Sequence, residues 1–200
     1  MLFGKVNPSG KLPLTFPAHE NQTAMSPHQW PGWPDPSKPT YANYTEGLLV
    51  GYRYYDAHGL EPAYPFGHGL SYTSFAYSAL DVAAGHANAR SSVVVKCNVS
   101  NVGRVAGAEV AQLYLAFPAA AGEPPKVLRG FEKLTLAPGQ SATVLFYLDA
   151  AKDMAIWNEA THAWQVVPGE YGVLVGSSSR DIRLVGRLSV PPAALVVEQP

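Results

Sequence analysis

The chain has 200 residues, 47% of them hydrophobic and 14% charged, with a formal net charge of −1. The hydrophobic share supports a real core, whereas the charged share falls well below the usual share of about a quarter, so much of the surface is expected to be hidden against other protein or carried in loops. A near-neutral chain lacks the electrostatic footprint of a nucleic-acid or anionic-membrane binder, and no apolar run reaches the roughly 20 residues of a membrane helix.

Eighteen glycines and eighteen prolines supply many turns and favour β-structure over helical bundles. Residues 1–17, MLFGKVNPSGKLPLTFP, give a turn at Asn7–Gly10 and a short apolar run from Leu12 to Phe16. Pro13 and Pro17 restrict that run to an edge strand or an extended crossing segment. The start carries no charged and then apolar pattern of a secretory signal. From Ala18 to Pro39 the chain is rich in Pro, Gln, His and Trp without periodicity, which reads as a long surface loop. Its Trp30 and Trp33 either suit the apolar face of a pyranose or wedge the loop onto its own domain.

The stretch Tyr41–Tyr72 holds seven of the eleven tyrosines, together with Gly47, Gly51, Gly59, Gly67 and Gly69. Tyrosine couples a large apolar ring to a hydroxyl that needs a partner, so this density suits a half-buried seam between two layers of structure. Around Leu48–Tyr55 the apolar pattern does not separate a strand from a short helix. Arg53 is expected to pair with Glu46, Asp56 or a carboxylate elsewhere, because an unpaired buried guanidinium is costly; a catalytic role is its other reading. His68, between Gly67 and Gly69, reads as a hydrogen-bonding hinge residue rather than a ligand.

Short alternating strands follow. They are expected at Phe75–Val82, Ser91–Val99, Glu109–Phe117, Lys126–Leu136, Ala142–Leu148, Met154–Trp157, Ala163–Val167, Tyr171–Val175 and Ile182–Val190, with turns at Asn101–Gly103, Pro138-Gly139 and Pro168-Gly169. Turn signals about every ten residues between such strands describe a two-sheet sandwich. Cys97 lies in the alternation of Val93, Val95 and Cys97 against Ser92, Val94 and Lys96, as a buried small hydrophobe would. The tail PPAALVVEQP is expected to be loose or packed as a strap.

Six segments, NPSGKLPLTFP, YTEGLLVGYRYYD, YPFGHGLSYTSFAYS, NVGRVAGAEVAQLYL, LRGFEKLTLAPG and VPGEYGVLVGSSSRDI, resemble in that order the C-terminal part of family 3 glycoside hydrolases, of β-glucosidase and β-xylosidase type. The resemblance implies an upstream (β/α)₈ barrel with an aspartate nucleophile and a middle α/β sandwich domain supplying the acid/base, closed by a fibronectin type III-like domain. On that pattern the fold is mainly β: an immunoglobulin/fibronectin type III-like β-sandwich over 69–190, preceded over 1–68 by an incomplete remnant of the α/β sandwich domain plus junction, and followed by a tail at 191–200.

Retaining glycoside hydrolysis needs two carboxyl groups about 5 to 5.5 Å apart, with their pKa values split by an enclosed pocket. None of the fifteen acidic residues lies in a motif matching the family's nucleophile or acid/base. Glu46 and Asp56 come nearest to a pair, and they read better as partners of Arg53 or as cap and turn residues. The six histidines, His19, His28, His58, His68, His86 and His162, lack the spacing that places two imidazoles on one ion, and GSSS at Gly176–Ser179 lacks the G-x-S-x-G frame of a hydrolase elbow. No catalytic, cofactor-binding or metal residue is therefore assigned, and no cofactor.

The expected function is the structural C-terminal portion of a β-glycosidase acting on terminal β-linked glucose or xylose, partnered by the barrel and α/β domains of the same enzyme. The alternative is a carbohydrate-binding module, with Trp157, Trp164, Tyr171, Trp30 and Trp33 as candidate platforms. A purely adhesive domain is the third reading, and it leaves residues 1–68 unexplained. N-x-[ST] triplets at Asn21, Asn43 and Asn98 suit glycosylation of a secreted protein, and secretion is expected for the full-length enzyme.

Overall fold

A computed structural model describes residues 1–31, 41–87 and 90–192. Two antiparallel sheets face each other. The first orders β1 (Phe75–Ala87), β2 (Arg90–Asn101) and β5 (Ser141–Asp149) as β1-β2-β5, and the second orders β4 (Val127–Leu136), β3 (Gly107–Ala116), β8 (Gly169–Gly176) and β9 (Ile182–Val190) as β4-β3-β8-β9. β6 (Ala155–Asn158) and β7 (Ala163–Val166) form a separate hairpin. A three-plus-four antiparallel sandwich is the arrangement of the fibronectin type III class.

The period-2 pattern builds this core directly. In β5, Val144, Phe146 and Leu148 are buried while Thr143, Leu145 and Tyr147 face out. Val93, Val95, Cys97 and Val99 of β2 meet them from the neighbouring strand, and Leu113, Leu115, Tyr171, Val173 and Val175 close the layer from the second sheet. The Cys97 thiol is free and buried, and burial pushes its pKa up.

Two polar side chains tie the ends of the sandwich. Asn101 donates to the carbonyls of Val105 at 2.8 Å and Leu136 at 3.0 Å, and its Oδ1 accepts from the Thr73 hydroxyl at 2.6 Å and the Gly103 amide at 3.0 Å. A buried amide satisfied at both ends anchors the turn that the sequence places there. The Tyr171 hydroxyl donates to the Val167 carbonyl at 2.8 Å, closing a tyrosine corner. Tyr171 is thus wholly buried, which removes it from the exposed aromatics expected to meet sugar: it falls on the inner face of β8, in step with Val173 and Val175.

Two local differences from the expected elements have physical reasons. β1 runs on to Ala87 because its backbone stays paired with β2 as far as Ala87 opposite Arg90, although the Ala- and Gly-rich composition there is weak in strand formers. A one-turn helix, α2 (Ala150–Asp153), follows β5, with the Asp149 carboxylate accepting from the Ala151 amide; four residues are too few to show a period. The Leu12–Phe16 run is the extended crossing segment, joined to the chain by Phe16 opposite Tyr64 and by the Leu12 amide on the His68 carbonyl at 2.8 Å.

The junction resolves as a short helix, α1 (Tyr52–Ala57), with Tyr52 and Tyr55 buried. Residues three apart share a helix face, so these two tyrosines turn one side of α1 into an apolar anchor. No described helix is long and apolar enough to cross a membrane. Trp33 and tail residues 193–200 lie outside the described residues.

Candidate functional site: a docking seam

Strand β3 is buried from Ala111 through Leu115 without alternation. Its inner residues face the first sheet, while Gln112 and Tyr114 are covered by residues 52–67. The second layer makes β3 a strand with two packed faces, which antiparallel sandwiches usually lack.

Helix α1 supplies the first contacts. The Tyr52 ring stacks on Phe66, with centroids 4.8 Å apart, and meets Tyr114 edge-on at 5.9 Å, while its hydroxyl accepts from the Leu128 amide of β4 at 2.8 Å. Four residues on, and so on the same face, the Asp56 carboxylate lies 2.5 Å from Lys126 Nζ and 3.0 Å from Arg180 Nε, with 5% of its side chain exposed. Two cations offset the desolvation of one buried carboxylate. Arg180 also donates to the Leu60 carbonyl at 2.7 Å.

Beside the helix, the turn after Phe66 lies on β3 and β8. The Gln112 amide donates to the carbonyls of Gly67 at 3.1 Å and Ser177 at 2.7 Å, and its Oε1 accepts from the Tyr114 hydroxyl at 2.6 Å. Burial pushes the Tyr114 phenol well above its ordinary pKa, with the nearby Tyr52 and Asp56 adding to the rise. The Ser179 amide donates to the Phe66 carbonyl at 2.9 Å. A second clamp sits near the start of the chain: Lys11 Nζ is 2.8 Å from the buried Glu109, and Asn7 Nδ2 donates to the Ala106 carbonyl at 3.0 Å.

The expected pairing of Arg53 with Glu46 or Asp56 is corrected. Asp56 turns toward the sheet and is held by Lys126 and Arg180, while Glu46 accepts from Gln29 Nε2 at 3.0 Å. Among the described residues Arg53 meets no carboxylate; its guanidinium lies 5.9 Å from the Tyr52 ring centroid. Glu46 and Asp56 therefore serve separate contacts, and the bond from Gln29 holds the Glu46 carboxyl below its ordinary pKa.

The remaining candidates scatter. His68 passes its carbonyl to Leu12 and tilts against Tyr64, His58 stacks on Tyr54, and His19 meets the Glu20 carbonyl. Among the described residues, no three His, Cys, Asp or Glu side chains gather as a metal site requires. Asn98 lies in β2 with its Oδ1 accepting from Thr143, whereas Asn21 and Asn43 are exposed in loops.

Sequence reasoning did not find Lys126, Arg180 or Gln112. Lys126 stands 70 residues from Asp56, and nothing local marks such a pairing. Gln112 did leave one sign, as the lone amide inside the apolar run VAQLYLAF.

Away from the seam the first 72 residues carry bare apolar surface. Leu2 and Phe3 are 92% and 93% exposed, and Tyr41, Tyr44, Leu48 and Val50 are likewise exposed. What the described part of residues 1–72 can do is thus to hold the sandwich through the seam while leaving several apolar side chains in water.

A model of the glycosyl hydrolase family 3 C-terminal domain matches residues 1–72, and one of the fibronectin type III-like domain matches residues 109–179. Thermostable beta-glucosidase B of Acetivibrio thermocellus is 46% identical over 92% of the chain and 24% of its own length. The chain resembles the crystal structure of a Bifidobacterium adolescentis GH3 beta-glucosidase, with TM-score 0.83 and 41% identity over 95% of this chain and 27% of that one. A Trichoderma reesei beta-D-glucoside glucohydrolase gives TM-score 0.82 and 39% identity over 95% and 28%. The chain spans about a quarter of the length of the curated relatives it matches.

Proposed function

The chain belongs to glycosyl hydrolase family 3, whose C-terminal region it matches, and on that premise we propose that it is the structural C-terminal portion of a β-glycosidase hydrolysing terminal β-linked glucose or xylose. Its own contribution is to brace a catalytic unit supplied by the rest of the enzyme. The observation that carries this reading is that residues 1–72 are locked onto the sandwich through Tyr52, Asp56 and Gly67 while Leu2, Phe3, Leu48 and Val50 stay in water. An apolar surface of that kind marks a partner-facing side. Upstream barrel and α/β domains of the same enzyme are the partner proposed for it.

Hydrolysis by this chain alone is not part of the reading. Asp56 is engaged by two cations and Glu46 by an amide, so neither is poised to attack a sugar carbon or deliver a proton across a scissile bond. Incubation of the 200-residue chain with an aryl β-glucoside and an aryl β-xyloside tests this: no turnover is expected. Turnover abolished by replacing one acidic residue would overturn it.

A second reading, in which the sandwich also holds carbohydrate, is favoured by one observation. Trp157 and Trp164 of the β6–β7 hairpin are about half exposed.

A further inference from the structure

Trp157 and Trp164 stand directly opposite each other on β6 and β7. They share a hairpin face with Ala155 and Val166, which are buried, so the indoles continue that face from the buried end of the hairpin into solvent. Their ring centroids are 5.6 Å apart and their planes meet at 69°, and His162 stands edge-on to Trp157 with centroids 6.4 Å apart. A cross-strand aromatic pair stabilises a hairpin by itself. That role requires the ring contact but not the half of each indole left in water, with 47% of Trp157 and 54% of Trp164 exposed.

We propose that the corner between Trp157 and Trp164, rimmed by His162, binds one neutral pyranose ring at the end of a β-linked glycan. Three features select this occupant. The first is charge: residues 155–166 carry only Glu159 and His162 as ionisable groups, so nothing there complements a polyanion or a charged peptide, while an uncharged sugar loses no ionic hydration on arrival. The second is size. Two half-exposed indoles offer roughly 200 Å², far below the ~800 Å² per partner of a stable protein interface, which sets aside a second copy of the chain but matches one sugar ring.

The third is shape. Stacking along a flat crystalline glycan needs coplanar rings in line, whereas planes at 69° form a floor and a wall. The floor takes the apolar C–H face of a pyranose, the wall stops the chain at that ring, and the His162 nitrogens reach its hydroxyls. The choice of a β-glycan rests on the β-glycosidase reading above; the corner itself rests on the geometry.

The test is binding, not turnover, so its failure leaves the enzyme reading untouched. Cellotetraose and xylotetraose are titrated into the 200-residue chain with tryptophan fluorescence as readout, alongside sedimentation with crystalline cellulose. Saturable binding of at least one oligosaccharide with Kd on the order of 1 mM is expected, as two aromatic contacts supply, with little adsorption to crystalline cellulose. Trp157→Ala weakens binding about tenfold, Trp157→Phe weakens it less, and Trp30→Ala leaves it unchanged. Near-UV circular dichroism reports whether each variant keeps its hairpin, and Trp157→Phe serves if Trp157→Ala loses it. No saturable change in the folded wild-type chain, binding insensitive to both Trp157 variants, or adsorption to crystalline cellulose without oligosaccharide binding would each overturn the proposal. Self-association abolished by Trp157→Ala, without sugar binding, would assign the surface to a second copy and overturn it as well.

Discussion

Gly67 and Gln112 compete for one space. The Gln112 amide donates to the Gly67 carbonyl at 3.1 Å, and a Cβ placed on Gly67 would stand 2.1 Å from Gln112 Oε1. Gly67 also holds φ at +79°, a conformation that L side chains rarely adopt. Gly67→Ala is expected to cost about 2 to 3 kcal/mol and to lower the melting temperature by roughly 5–10 °C in scanning calorimetry. The Gly67→Ala, Gln112→Ala double variant recovers part of that loss, because removing the amide relieves the clash; strict additivity would contradict the shared space.

Asp56 is the electrostatic pin of α1. Asp56→Asn leaves Lys126 and Arg180 facing a neutral amide in a site where 5% of the original side chain met water. Breaking such a buried group by removing one partner costs about 3 to 5 kcal/mol. Urea denaturation followed by circular dichroism should show the midpoint fall accordingly, and a change under about 1 kcal/mol would show that the helix is held without it.

Tyr52→Phe separates the hydroxyl from the ring. The contacts with Phe66 and Tyr114 stay, but the Leu128 amide loses its acceptor. A loss of about 1 to 2 kcal/mol is expected in the same unfolding experiment. Hydrogen exchange of the Leu128 amide should quicken in the variant.

Asp181 gives the chain one acid-sensitive contact. Bonds from Arg183 and Ser177 hold its carboxyl below the ordinary Asp value against a smaller opposing effect of burial. The unfolded chain therefore takes up its proton first as pH falls. The stability contributed by Asp181 is fully present above the unfolded pKa of about 3.9 and is lost as pH falls through the lower folded value. Urea midpoints of the wild type and Asp181→Asn should differ above about pH 5 and converge toward about pH 2. The difference is small, because nearly half of each side chain meets water and the pair is screened; a gap that widens on acidification would reverse the sign and refute the assignment.

Limited chymotrypsin digestion should cut first at the exposed Trp30, Tyr41 and Tyr44. The piece carrying Asn7 and Lys11 should then co-elute with the sandwich on size exclusion, because its clamps to Ala106 and Glu109 lie before the cuts. The C-terminal piece should retain α1. Trimming as far as residue 69 would instead mark residues 51–68 as separable.

Much of the sandwich was legible in the residues. Val144, Phe146 and Leu148 alternate with polar or exposed neighbours, and Asn101, Pro138-Gly139 and Pro168-Gly169 stand at turns. The pattern works because a sheet with one wet face repeats every two residues. It fails at β3, where Gln112 and Tyr114 are covered by a segment far away in sequence. The seam is similarly half legible: the tyrosines announce it, yet only Tyr52 and Tyr55 of the seven in that stretch are buried here. Ion pairs such as Asp56 with Lys126 leave no local mark, since charge complementarity at long separation has no spacing rule.

Because β3 is sealed on both sides, the sandwich and residues 1–72 are not interchangeable parts. A chimaera that swaps in a relative's sandwich imports that relative's counterpart of Gln112, while the host keeps its own Gly67 turn and its own Tyr52. Grafts cut between Tyr72 and Phe75 divide every part of this fitted surface, whereas grafts that open in the loop before Gly51 carry Tyr52, Asp56 and Gly67 across with their partners and leave only the Asn7 and Lys11 clamps spanning the cut.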